Sequence, residues 1–169
     1  VLPESIGGDI YLNSLTSAEG LVLPKYVGGF IDLSSLASAE GLVLPESIGG
    51  DIYLNSLTSA EGLVLPKYVG GFIDLSSLAS AEGLVLPESI GGDIYLNSLT
   101  SAEGLVLPKS IGGRIVLSRL RTTEDLKLPY GFNLNKLYCP YNIKKEIMNN
   151  PDKYYMEPPT EEDKKGIKR

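Results

Sequence analysis

Histidine and tryptophan are absent from this chain, and cysteine occurs once, at Cys139. Without histidine the commonest general base and the commonest nitrogen ligand for a metal are missing. A lone cysteine closes no internal disulfide, and Cys139 reads as a half-buried packing residue rather than a reactive thiol. No apolar run approaches the ~20 residues that span a bilayer, and no charged-then-apolar leader is present. Positive charge is scarce: 15 Lys and Arg stand against 21 Asp and Glu, for a formal net charge of -6. A clustered basic face, needed to displace counterions from phosphates, is therefore not available. These absences argue against a nucleic-acid binder and a membrane span, and no catalytic residue, metal site or cofactor is expected.

What the chain has in abundance is repetition. Pro3, Pro24, Pro45, Pro66, Pro87, Pro108 and Pro129 recur every 21 residues. Two kinds of unit alternate, VLPESIGGDIYLNSLTSAEGL at 1–21 and VLPKYVGGFIDLSSLASAEGL at 22–42, and residues 43–84 repeat residues 1–42 without a change. Natural repeats drift at solvent-facing positions, so identity there implies very recent duplication or deliberate design, and design is the reading preferred. The unit at 106–126 departs from the pattern at Arg114, Val116, Arg119 and Arg121, as the end of a natural array would. The start at Val1, without methionine and already in register, is expected of a truncated, processed or engineered beginning.

Inside each unit the apolar positions are Leu2, Ile6, Ile10, Leu12, Leu15 and Leu21, numbered in the first copy. Ile10-Tyr11-Leu12 and Leu21-Val22-Leu23 alternate with the period of half-buried strands. A helical stripe is interrupted by Gly7-Gly8 and Pro24. Two short strands and two turns in 21 residues make one coil of an all-β, parallel β-solenoid, each coil stacking on the next at ~4.8 Å. Stacking sets Ile10, Ile31, Ile52, Ile73, Ile94 and Ile115 in one internal column and Leu12 with its equivalents in the next. The glycine pairs are expected at a corner where a side chain would clash or φ must be positive, and proline at the end of the second strand.

The run L-x-L-P-x-x-I-G-G-x-I-x-L-x-x-L, over residues 1 to about 126, resembles bacterial and phage leucine-rich-like repeats. That resemblance implies recognition of protein partners across a strand face, and no shared catalytic residues. One departure stands out: Leu15 and its equivalents occupy the place where a regular leucine-rich repeat carries asparagine. A straighter, leucine-rich-repeat-like solenoid is the expectation.

Outward positions stack as well. Glu4, Lys25, Glu46, Lys67, Glu88 and Lys109 alternate in sign. Asp9, Phe30, Asp51, Phe72, Asp93 and Arg114 form one mixed column, and Tyr11, Asp32, Tyr53, Asp74, Tyr95 and Val116 form another, out of phase. The true period is thus two units, which keeps carboxylates apart and lays aromatic rings diagonally across adjacent coils. Tyr11, Phe30, Asp32, Tyr53, Phe72, Asp74 and Tyr95 are the candidate binding residues, since aromatic side chains give contact area at low entropic cost; the plainer alternative is that they fit an exposed pleated surface. Glu19, Glu40, Glu61, Glu82, Glu103 and Glu124 stack with one sign. They could hold a hard cation, but a turn in which Thr16 and Glu19 satisfy backbone donors, as in a capping box, is preferred. Threonine recurs too sparsely for an ice-binding array, and the lysines interrupt any phosphate-like line.

Residues 127–157 shorten the pattern to a half coil followed by a helix over 142–150, with Asn142 as cap, Ile143 and Ile147 on one face and Pro151 as terminator. This is the expected cover of the last coil. Residues 158–169 read as a charged, flexible tail. The domains are thus a six-coil array at 1–126, the cap, and the tail. A structural scaffold of designed or engineered origin, or a module that binds a protein, are the two functional expectations, with end-to-end self-association through the first coil as a further one.

Overall fold

The computed structural model describes residues 3–160. The expected core position Leu2, and the tail from residue 161 onward, lie outside the described residues. The first coil holds two strands of two residues each, Ser5–Ile6 and Ile10–Tyr11, on either side of Gly7-Gly8. Equivalent strands stack in parallel into a six-stranded sheet ending at Ser110–Ile111 and a seven-stranded sheet ending at Leu137–Tyr138. Register advances by one unit per coil, Ile10 beside Ile31 and Ile31 beside Ile52. The chain is a parallel β-solenoid of 21-residue coils with a short helical end.

The second strand differs from expectation. It is Ser5–Ile6, not Leu21-Val22-Leu23, so the proline precedes a strand instead of following one. Alternation in the Leu-Val-Leu segment is real, because Val22 is 75% exposed while Leu21 and Leu23 pack against the core. Its neighbours prevent a ladder. Gly20 turns the chain with φ +72° on one side, Pro24 supplies no N–H on the other, and the coil-to-coil bonds of this sheet resume at Lys25 N–H to Glu4 C=O, 3.0 Å.

The glycine pair is required for approach rather than for positive φ. A Cβ at Gly70 would lie 2.1 Å from the Gly49 carbonyl oxygen, and one at Gly71 would lie 2.0 Å from Asp51 Oδ1. Left-handed backbone belongs instead to the Glu-Gly turn, at Gly20, Gly41, Gly62, Gly83 and Gly104. In the last regular coil Asp125 holds that place with φ 61°.

The core is a set of columns. Ile31, Ile52, Ile73, Ile94 and Ile115 are fully buried, as are Leu33, Leu54, Leu75, Leu96 and Leu117. A column missing from the sequence reading, Ala18, Ala39, Ala60, Ala81 and Ala102, is buried to the same degree. At its end stands the one buried polar residue among those described, Thr123.

The end piece is a half coil in a strict sense. Leu137–Tyr138 extends only the seven-stranded sheet, pairing Ile115 with Leu137 and Val116 with Tyr138. Helix α1, Tyr141–Asn149, begins after Pro140 with no side-chain cap, so Asn142 lies inside its first turn and is not the cap. Ile143 and Ile147 are buried as expected. Pro151 opens a second short helix, α2, Pro151–Tyr154, where a missing N–H is harmless. Leu128 then receives a parallel bridge, its N–H bonding Tyr154 C=O at 2.7 Å and its C=O accepting from Met156 N–H at 2.8 Å. No helix among the described residues is long and apolar enough to cross a membrane.

Candidate functional site

The seven-stranded sheet presents its outward residues as one face. Strand register sets Tyr11 beside Asp32, Asp32 beside Tyr53, Tyr53 beside Asp74 and Asp74 beside Tyr95. Just before each strand lies the second column, Asp9 to Arg114. Rings from the two columns meet edge to face in an unbroken zigzag. Tyr11 to Phe30 is 4.9 Å between centroids, Phe30 to Tyr53 5.7 Å, Tyr53 to Phe72 4.9 Å and Phe72 to Tyr95 5.7 Å. All five candidate aromatic residues are brought together. Each pair is worth about 0.5–1.5 kcal/mol beyond burial, so the zigzag binds neighbouring coils to each other.

The carboxylates have a structural share as well. Asp9 Oδ1 accepts the Phe30 N–H at 3.0 Å and Asp51 Oδ1 the Phe72 N–H at 2.8 Å. Asp32 and Asp74 each close a turn, accepting the N–H of Ser34 at 3.0 Å and of Ser76 at 2.9 Å. One oxygen of each is thereby committed. Burial and the nearby carboxylates of Asp51, Asp32 and Asp74 push the Tyr53 hydroxyl above its ordinary value.

Two further residues belong to this face: Arg114, set in its column by the sequence but not among the candidate binding residues, and Tyr138, which the sequence reading missed. Arg114 takes the place of a phenylalanine in the zigzag. Its Nε donates to Asp93 Oδ2 at 2.8 Å, its Nη2 lies 2.6 Å from the same oxygen and 3.2 Å from the Tyr95 hydroxyl. The guanidinium carbon sits 5.5 Å from the ring centre of Tyr138, close to the Phe72–Tyr95 spacing. Tyr138 resumes the tyrosine column one two-unit period after Tyr95, but 43 residues on instead of 42, and that extra residue hid it. Burial alone would raise the Asp93 carboxyl; the Arg114 side-chain and main-chain hydrogen bonds outweigh it and hold the group below its ordinary value.

Elsewhere the ladders are plainer. Lys25 Nζ lies 3.1 Å from Glu4 Oε1, an exposed pair of the kind worth ~0–1 kcal/mol. The Glu19 column is not held by the expected capping box. Each glutamate N–H is accepted by the hydroxyl two residues before it, Ser17, Ser38, Ser59, Ser80, Ser101 and then Thr122. The same bond forms in the units where Ala37 and Ala79 stand in place of threonine, and among the described residues no three acidic or cysteine side chains gather where a metal could sit.

An asymmetric cluster lies at the end of the array, between the last turn and the two helices. Thr123 Oγ1 donates to Glu146 Oε1 at 2.9 Å and lies 2.9 Å from the Tyr154 hydroxyl, which also bonds Glu146. Hydrogen bonds from Tyr154 and Thr123 hold the Glu146 carboxyl below its ordinary value. A cleft of about 640 Å³ beside it is lined by Arg121, Asp125, Lys127 and Lys153 among others. Cys139 is half-buried and burial pushes its thiol up, away from the reactive thiolate.

Fold and face together define a parallel β-solenoid of paired coils carrying one aromatic and acidic strip. The chain matches no protein-family model, no curated protein and no solved structure.

Proposed function

We propose that the protein is a structural repeat scaffold without catalytic activity, derived from a leucine-rich-like repeat whose coils were copied by design. The observation that carries this reading is that the repeat's polar groups serve the coil itself. Asp9 and Asp51 cap the next coil, Asp32 and Asp74 close turns, and the serine hydroxyls hold the glutamate turns. Identity of residues 1–42 with 43–84 at exposed positions supports design over slow divergence.

A second reading, a protein-binding module using the Tyr11, Phe30, Asp32, Tyr53, Phe72, Asp74 and Tyr95 face, is favoured by one fact. The ring zigzag is continuous across the array, with Phe30, Tyr53, Phe72 and Tyr95 each left only half-buried along it. Pull-downs from the host lysate with the parent chain and a Tyr53→Ser, Phe72→Ser variant separate the two. The scaffold reading expects the same retained proteins from both. A protein held by the folded parent and lost from the folded variant would overturn it in favour of the module.

A further inference from the structure

Resting on the second of these readings, we infer that the aromatic and acidic face takes arginine side chains from an extended polyproline-type segment of a partner. The face already holds one arginine, its own. Arg114 engages Asp93 through Oδ2, touches the Tyr95 hydroxyl and lies over the Tyr138 ring. Two nitrogens of one planar group converge on a single carboxylate oxygen while its plane meets a ring, chemistry that distinguishes guanidinium from ammonium.

The same parts recur along the strip, with Phe72 standing where Arg114 stands. Asp51 Oδ1 is committed to the Phe72 N–H, as Asp93 Oδ1 is to the Arg114 N–H. Asp93 Oδ2 is then filled by the guanidinium and by the Tyr95 hydroxyl, which donates to it at 3.0 Å, whereas the second oxygens of Asp9 and Asp51 receive no donor among the described residues. Asp32 and Asp74 likewise commit one oxygen to a turn. Carboxylates beside ring edges and faces, half-buried at Asp32, Asp51 and Asp74, attract a cation that brings its own donors. The net charge of -6 adds long-range attraction for a basic segment.

Spacing selects the shape of the ligand. Chemically equivalent positions recur every second coil, about 9.6 Å apart at the usual strand separation. Three residues of a polyproline II helix rise about 9.3 Å and return to the same side. An extended β-strand returns to the same side every two residues, about 6.7 Å, and falls out of step at once. A segment with arginine at every third position thus stays in register across several coils.

The test is fluorescence anisotropy with labelled peptides on the full chain: (Arg-Pro-Pro)4, (Gln-Pro-Pro)4, and a peptide of the first composition with arginines at every second position followed by the remaining prolines. The first is expected to bind at least tenfold more tightly than the other two. Asp51→Asn with Asp74→Asn, which keep the Oδ1 acceptors for the Phe72 and Ser76 N–H groups, should cost at least tenfold. Arg114→Ser, which takes the guanidinium off Asp93 Oδ2 and leaves only the Tyr95 hydroxyl there, should tighten binding several-fold. Equal binding of the arginine and glutamine peptides, lost in Tyr53→Ser, Phe72→Ser, overturns the arginine proposal while leaving the face a protein-binding surface. No peptide binding that depends on Tyr53 and Phe72 overturns both.

Discussion

Gly7 and Gly70 occupy the same place in the repeat, and they differ in what lies beneath them. A Cβ at Gly70 meets the Gly49 carbonyl at 2.1 Å, whereas nothing lies within 4 Å of one at Gly7. Gly70→Ala is therefore expected to lose at least the ~1–3 kcal/mol typical of overpacking, and Gly7→Ala to stay near the parent in urea unfolding. Equal losses would mean that conformational freedom, and not coil approach, is what the glycine supplies. Glu146 offers a pH test. Its carboxyl is held below its ordinary value by Tyr154 and Thr123, so it stabilises the fold above the unfolded pKa, and this contribution disappears as pH falls through the folded one. Glu146→Gln should melt below the parent at pH 7, and the difference should close below about pH 4. A gap that persists at pH 3 would show the cost to be steric. At this scale the sequence was readable only where it was periodic. Thr123, Glu146 and Tyr154 come from the aperiodic end and meet across 23 and 31 residues, which no spacing rule connects.

Among the elements, the strand at Ile10–Tyr11 was legible and the one at Ser5–Ile6 was not. Alternating burial marks a segment whose side chains face in and out, but a strand also needs N–H and C=O groups aimed at the next coil. Leu21-Val22-Leu23 satisfies the first condition only, between a left-handed glycine and a proline. Ser5-Ile6 and its equivalents go out and then in over only two residues, too few to read as a period, and their pairing rests on the glycine corner beside them. The candidate face was legible for the same reason the core was: one period orders both. Phe72 touches Tyr53 and Tyr95, so Phe72→Ser should lower stability through two aromatic contacts, about 1–3 kcal/mol in all. Tyr11, with a ring on one side only, should cost about half as much when changed to serine. Comparable losses in thermal unfolding would show that the zigzag contributes nothing beyond area. Capping was visible as composition, with Ile143 and Ile147 in place, but Pro151 acts as a start because the chain turns into α2 at that residue.

For the molecule as a whole the unit of construction is a pair of coils. Deleting residues 43–84 leaves a lysine coil beside a glutamate coil, so every ladder keeps its alternation. Deleting residues 43–63 instead stacks Lys25 on Lys67, Phe30 on Phe72 and Asp32 on Asp74. Directly opposed like charges cost about 0.2–1 kcal/mol each. The shorter deletion, though it retains one more coil, is expected to melt at the lower temperature in dilute buffer, with the difference narrowing as salt screens the charges. A higher melting temperature for it at every salt concentration would show that coil number outweighs alternation.

The alternation also makes length discontinuous. A solenoid of identical coils could be lengthened by any whole number of turns, but this one keeps its surface pattern only when two are added together. It is a ruler graduated at about 9.6 Å, and any array grown from it would occur in sizes separated by that step.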